Sequence, residues 1–181
     1  MINYLLGLIY LMLPAYFANM APVIFNRTLN FLDYPVDFGV KVKGHHLFGR
    51  TKTFRGFMVG ILAAILIVYL QSQIAQYTFF YNISLVDFNE INIWLFGFLF
   101  GLAALTGDLI KSFFKRRLGK KSSESWKVFD QLDFVFGSLF LVWLYIGLKF
   151  INVLIILFLS FILTIIANHI SYILGIRKVK W

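Results

Sequence analysis

The chain has 181 residues, of which 60% are hydrophobic, 19% aromatic and only 14% charged, with a mean hydropathy of +0.81. A soluble domain carries about a quarter charged residues, so this composition excludes one and leaves an integral membrane protein, short enough to form a single domain over residues 1–181. The absence of cysteine excludes disulfides, zinc-thiolate sites, iron-sulfur clusters and cysteine nucleophiles, while a net charge of +9, from 17 Lys and Arg against 8 Asp and Glu, asks for an anionic partner: nucleic acid, lipid headgroups or a polyanionic small substrate.

Apolar runs cover residues 2–25, 56 to about 70, 91–114 and 134–174. The first has small residues at Ala18 and Ala21 but no basic start, and a positive cluster follows it, so it reads as a retained helix rather than a cleaved signal peptide. The second has the least definite end, because Gln71, Ser72, Gln73 and Gln76 follow it and residues 79–83 are aromatic. The last would make about 60 Å of helix at roughly 1.5 Å per residue, about twice a hydrocarbon core, so it must turn, and Gly147, Lys149 and Asn152 mark the place. The expected fold is an all-α polytopic bundle of about five transmembrane helices; a β-barrel needs an alternation that these runs lack. No internal repeat stands out, which counts against a repeat-built transporter.

Charge fixes the expected orientation. Arg27, Lys41, Lys43, Arg50, Lys52 and Arg55 lie between the first and second runs, Lys111, Lys115, Arg116, Arg117, Lys120, Lys121 and Lys127 between the third and fourth, and Arg177, Lys178 and Lys180 close the chain. Five crossings put all of these on one side and leave Lys149 with Asp87 and Glu90 on the other. The positive-inside rule makes the basic side cytoplasmic, with the N-terminus outside and the C-terminus inside.

The residues able to carry chemistry gather on that side. At 100° per residue, Asp108, Lys111, Ser112 and Lys115 fall within about a 100° arc of the third helix, offering a carboxylate, a hydroxyl and two cations on one face. Arg117 points the other way, as a snorkelling residue does, and Lys115, Arg116 and Arg117 also suit the plain role of anchoring a helix end. Asp108 follows an apolar stretch, where a carboxylate costs several kcal/mol unless it is paired, metal-bound or facing water. Asp130 and Asp133 open the fourth helix; one carboxylate would serve as cap and dipole partner, and the second asks for a cation. A short connection lets all three meet at one depth, a donor set that suits a divalent metal such as Mg²⁺, with the nearby Lys and Arg holding the rest of a polyphosphate.

The first connection adds Lys52, Thr53 and Arg55, which can donate to phosphates at the start of the second helix, although the order is not that of a P-loop. His45 and His46 are adjacent and therefore diverge, a poor metal pair. Asn19, between Pro14 and Pro22, suits an interhelical hydrogen bond or a substrate contact.

These motifs resemble the archaeal CDP-archaeol synthases, small membrane cytidylyltransferases distantly related to the CDP-diacylglycerol synthases. Residues 13–22 resemble that family's opening helix and residues 49–56 its Lys-Thr-aromatic-Arg-Gly loop. Residues 107–117 resemble its Gly-Asp…Ser-x-x-Lys-Arg segment, and residues 129–134 its Asp-Gln-Leu-Asp element. The tail from Asn168 to Trp181 also fits. Arg50 stands where the family usually has an acidic residue, and Lys180 where a proline often precedes the terminal tryptophan.

The resemblance implies transfer of a cytidylyl group from CTP to a lipid phosphate, such as 2,3-bis-O-geranylgeranyl-sn-glycerol 1-phosphate, releasing pyrophosphate and leaving a CDP-activated lipid. It implies Asp108, Asp130 and Asp133 on Mg²⁺ and Ser112 and Lys115 on phosphates. Lys52, Thr53, Arg55, Lys111, Arg116 and Asn19 are then substrate contacts. The expected partners are CTP, the lipid acceptor and the cell membrane rather than nucleic acid, with a homodimer left open. The alternative is a transporter or channel using the acidic residues as an ion path; it requires carboxylates spread through the membrane depth, whereas these cluster near one face. A passive lipid-binding anchor would give no reason for three carboxylates at all.

Overall fold

The computed structural model describes residues 1–25, 29–42, 44–120, 124, 126 and 128–175. Arg27, Lys43, Lys121, Lys127, Arg177, Lys178, Lys180 and Trp181 lie outside these. Five of its helices are long and apolar enough to cross a membrane: α1 (Ile2–Ile24), α2 (Phe54–Ile74), α4 (Ile93–Arg117), α5 (Phe129–Ile146) and α6 (Phe150–Ile173). A short α3 (Thr78–Ile83) joins α2 to α4. The all-α bundle expected from the sequence is the one found.

α1 is the central helix, touching α2, α4, α5 and α6, and its Leu8, Met12, Ala15 and Ala18 are wholly buried. Pro14 and Pro22 lie inside it, which neighbouring helices make tolerable in a membrane span. Where lipid gives no hydrophobic drive between helices, close backbone approach supplies the contact. A Cβ on Gly97 or Gly101 of α4 would come 2.7 Å and 2.8 Å from the Cα atoms of Ile65 and Ile61 in α2. Gly107 and Gly137 do the same for α4 and α5: a Cβ on Gly107 would run into the Asp133 carbonyl, and one on Gly137 into the Ala103 carbonyl.

α2 runs past the expected end near Leu70, because Gln71 is satisfied rather than exposed: it is buried, and its amide donates to the Tyr10 carbonyl at 2.6 Å. The last apolar run turns where expected. α5 ends at Gly147, whose left-handed φ of 62° suits glycine, and α6 starts at Phe150 with Asn152 buried and accepting from the Tyr4 hydroxyl. The connection between α1 and α2 departs from the all-helical reading. It contains a 3₁₀ turn (Asn30–Leu32) and a small antiparallel hairpin of β1 (Lys41–Val42) and β2 (His45–His46).

Candidate functional site

The polar centre is built by the crossing of α4 and α5. Because Gly107 lets the start of α5 lie directly against α4, Asp130 and Asp133 face the same helical side that carries Asp108, Lys111, Ser112 and Lys115. The Lys111 ammonium stands at the focus. It pairs with Asp108 at 3.2 Å and Asp130 at 3.0 Å, and also with Asp133. Lys52 reaches in from the first connection to the other oxygen of Asp108, and Lys115 lies 3.6 Å from Asp130. Asp133 and Lys115 are only 7% and 5% exposed, so this is a buried network rather than a solvated rim. Three carboxylates against three ammonium groups leave it locally balanced, which is what allows such charge to persist at the edge of an apolar bundle.

The opposite wall is a loop organised by a residue the sequence did not single out. Asp37, 4% exposed, accepts from the backbone N–H groups of Gly39 (2.9 Å), Phe48 (3.1 Å) and Gly49 (3.3 Å). Burial alone would raise its pKa, but those three donors and nearby His46 outweigh it and hold the carboxyl below the usual carboxylate range. This pins the segment that delivers Lys52. Thr53 then caps α2, accepting from the Gly56 N–H at 3.3 Å. Arg117 fastens the hairpin to α4 by donating to the carbonyls of Val42, His45 and His46.

Between these walls lies a cavity of about 400 Å³, a size typical of small-molecule sites. Of the residues singled out in the sequence, Asn19, Lys52, Thr53, Asp108, Lys111, Ser112, Lys115, Arg116, Asp130 and Asp133 line it. Arg55 does not: it is bound to Asp33 at 3.1 Å and to Asn30 at 3.4 Å. Asn168 of α6 and Glu124 also line the cavity, without having been assigned roles. The signal for Asn168 is an amide within a mostly apolar run. His46 lies 4.0 Å from Asp37 and within 3.4 Å of Arg50, in the loop rather than in a metal cage.

The three carboxylates thus converge, as their spacing predicted, but onto an amino group. Among the described residues no three His, Asp or Glu side chains form a ready metal cage. The donor set has the right chemistry for a hard divalent cation, and Lys111 stands where such a cation would stand.

A family model described as CarS-like, CDP-archaeol synthase, matches residues 1–181. The CDP-archaeol synthase of Thermofilum pendens is 37% identical over 93% of this chain and 78% of its own length. Those of Methanospirillum hungatei and Methanocaldococcus jannaschii are 35% and 30% identical, over 94% and 96% of this chain and 100% and 95% of theirs. The solved structure of an intramembrane enzyme for archaeal membrane lipids biosynthesis superposes with a TM-score of 0.70 and 29% identity, over 88% of this chain and 91% of that one. Similar to these proteins in sequence over nearly its whole length and to the solved structure in fold, the chain belongs to the CarS-like CDP-archaeol synthase family.

Proposed function

We propose that the cavity between α4, α5 and the first connection is where a cytidylyl group passes from CTP to a lipid phosphate, within one domain over residues 1–181. The observation that carries this is the convergence of three carboxylates and three lysines at one end of a membrane bundle, beside a pocket large enough for a nucleotide. An oxygen of the lipid phosphate attacks the α-phosphorus of CTP; that P–O bond forms as the bond to the β-phosphate breaks, and pyrophosphate leaves. The attacking oxygen is already ionised near neutral pH, so no protein nucleophile is needed and catalysis is positioning plus neutralisation of charge.

Lys52, Lys115 and Arg116 supply positive charge to the triphosphate, and Ser112, 4% exposed, donates a hydroxyl from the same helix face. Asp108, Asp130 and Asp133 would hold Mg²⁺ in place of the Lys111 ammonium. When bound, the ion neutralises phosphate charge and eases departure of pyrophosphate. Lys111, once freed, is placed to follow a phosphate oxygen. Asn19 and Asn168 line the same cavity from α1 and α6 and present amides to the nucleotide.

The positive-inside rule supports a cytoplasmic site, the side from which CTP arrives, with the N-terminus outside and the C-terminus inside. Every side chain given a role comes from one chain, so the homodimer left open by the sequence is not required. The ion-path reading has no support in this arrangement, since Asp and Glu in the spans are confined to the inner ends of α4 and α5.

Purified protein given labelled CTP, Mg²⁺ and a lipid phosphate should form CDP-lipid and pyrophosphate, and ether and ester acceptors compared side by side define the acceptor. Asp108→Asn, Asp130→Asn and Asp133→Asn should each lower turnover by roughly 10²-fold or more. Full activity in all three overturns the assignment.

A further inference from the structure

The first connection turns its aromatic side chains outward. Phe31, Tyr34 and Phe38 are 79%, 64% and 72% exposed, although they lie outside the spans, whose apolar faces lipid covers. None of the three lines the polar cavity, so they are not waiting for its substrate. Aromatic rings gathered on the surface of a short loop mark a place where the molecule meets something else.

What they meet follows from their depth, which is fixed because the segment holding them is strapped to the first turn of α2. The Phe54 N–H donates to the Tyr34 carbonyl at 2.9 Å, and the Val36 N–H to the Lys52 carbonyl at 2.8 Å. Arg55 holds Asp33 at 3.1 Å and Asn30 at 3.4 Å, and the Phe38 ring centre lies 5.3 Å from that of Phe54. The turn that presents Phe38 is tied as well: its N–H donates to the Pro35 carbonyl at 3.0 Å, and the next N–H, of Gly39, donates to Asp37. α2 starts at Phe54, where a span passes from hydrocarbon to headgroups, so the three rings stand at the level where aromatic side chains are favoured. Charge points the same way. Asp37 is buried and Asp33 is taken by Arg55, whereas the exposed Lys41 and Arg50 have no carboxylate partner among the described residues. Rings at headgroup depth beside uncompensated cations are complementary to an anionic lipid surface.

We propose that residues 30–38, with Lys41 and Arg50, dock on the anionic headgroups of the leaflet at this end of the bundle, with Phe31, Tyr34 and Phe38 set into the interface. The leaflet then becomes a support of the wall that carries Lys52 to Asp108, since the same segment bonds to the backbone of Lys52 and Phe54. The docking stands independently of the cytidylyl-transfer reading, and its test reads position rather than turnover.

The chain has no cysteine, so Phe31→Cys or Tyr34→Cys takes a single fluorescent label, here an environment-sensitive nitrobenzoxadiazole. Each labelled full-length protein is placed in nanodiscs, either of phosphatidylcholine with phosphatidylglycerol in equal parts or of phosphatidylcholine alone. In the anionic discs the label should be quenched by brominated lipid chains and shielded from acrylamide in the water. In the zwitterionic discs acrylamide quenching should rise by about twofold, and Lys41→Ser with Arg50→Ser should abolish the difference between the two discs. Free quenching by acrylamide with none by brominated lipid puts the loop in water and overturns the proposal. So does a label shielded from both quenchers and shielded further by CTP, which puts the loop over the polar cavity. Equal shielding in the two kinds of disc overturns the anionic partner. Should the cysteine variants fail to fold, wild-type protein in the anionic discs is photolabelled with phosphatidylglycerol carrying a diazirine at its headgroup. Label is expected on the peptide that holds Phe31 and Tyr34, and its absence there overturns the docking.

Discussion

The polar cavity has two walls made by opposite means. The α4–α5 wall is held by backbone contact between helices: Gly107 and Gly137 bring the two axes together, and the charges on their surfaces meet because the helices do. The wall over residues 29–42 and 44–53 has little regular structure and is held by side chains: buried Asp37 gathers three backbone N–H groups and so sets where Lys52 arrives, and Arg117 ties the hairpin to α4. Lipid explains the difference. Inside the bilayer every backbone group must be satisfied within a helix, so position is controlled by how close two helices pack. At the interface the backbone is free to turn, and a side chain can take over its hydrogen bonds.

The comparison breaks most severely if the charge at the shared centre is removed. Lys111→Met leaves three carboxylates converging without their ammonium, and we expect a loss of about 3–5 kcal/mol in thermal unfolding without divalent ions. Added Mg²⁺ should raise the Tm of this variant more than that of wild type, because the ion no longer competes with Lys111. An equal response in both proteins would rule out that competition.

Gly107→Val acts on the helical wall alone. Its Cβ would collide with the Asp133 carbonyl, so α5 must move, at a cost of about 1–3 kcal/mol, and turnover should fall with it although no charged group has changed. Wild-type turnover in this variant would mean that the helix spacing does not set the carboxylates.

Asp37→Asn acts on the loop wall and should cost about 1–2 kcal/mol by weakening charge-assisted bonds. The pH dependence has a definite sign. The folded pKa of Asp37 lies below its unfolded value of about 3.9, so the folded state binds fewer protons through that range. Its contribution is fully present above the unfolded pKa and is lost as pH falls through the folded one. The gap in Tm between wild type and Asp37→Asn should therefore be constant from pH 5 to 7 and close below about pH 4. Arg55→Ala is expected to have the smallest effect, about 0.2–1 kcal/mol, because its partner Asp33 is half exposed; turnover should stay near wild type, since Arg55 does not line the cavity.

Much of the site was legible from spacing. Asp108, Lys111, Ser112 and Lys115 are separated by three and four residues, so a helix must put them on one face, and that face lines the cavity. Arg55 was not legible: in sequence it is one more phosphate donor beside Lys52, but at the start of α2 it meets Asp33, a partner 22 residues back along a loop. Gln71 misled the reading of where α2 ends, since a polar residue after an apolar run looks like a boundary until Tyr10 supplies its carbonyl. Asp37 gave no local pattern, because it matters through the backbone N–H groups of Phe48 and Gly49, 11 and 12 residues further along the chain.

Composition and periodicity by themselves determined that this chain is a five-span helical membrane protein with its charge at one end, since the cost of leaving backbone and charge unsatisfied in hydrocarbon permits little else. Only the tertiary structure decided what the charges do to one another. Whether three carboxylates surround Lys111 and which cations reach them depend on the contact between two glycines thirty residues apart, and helical periodicity within one segment carries no information about the distance to the next.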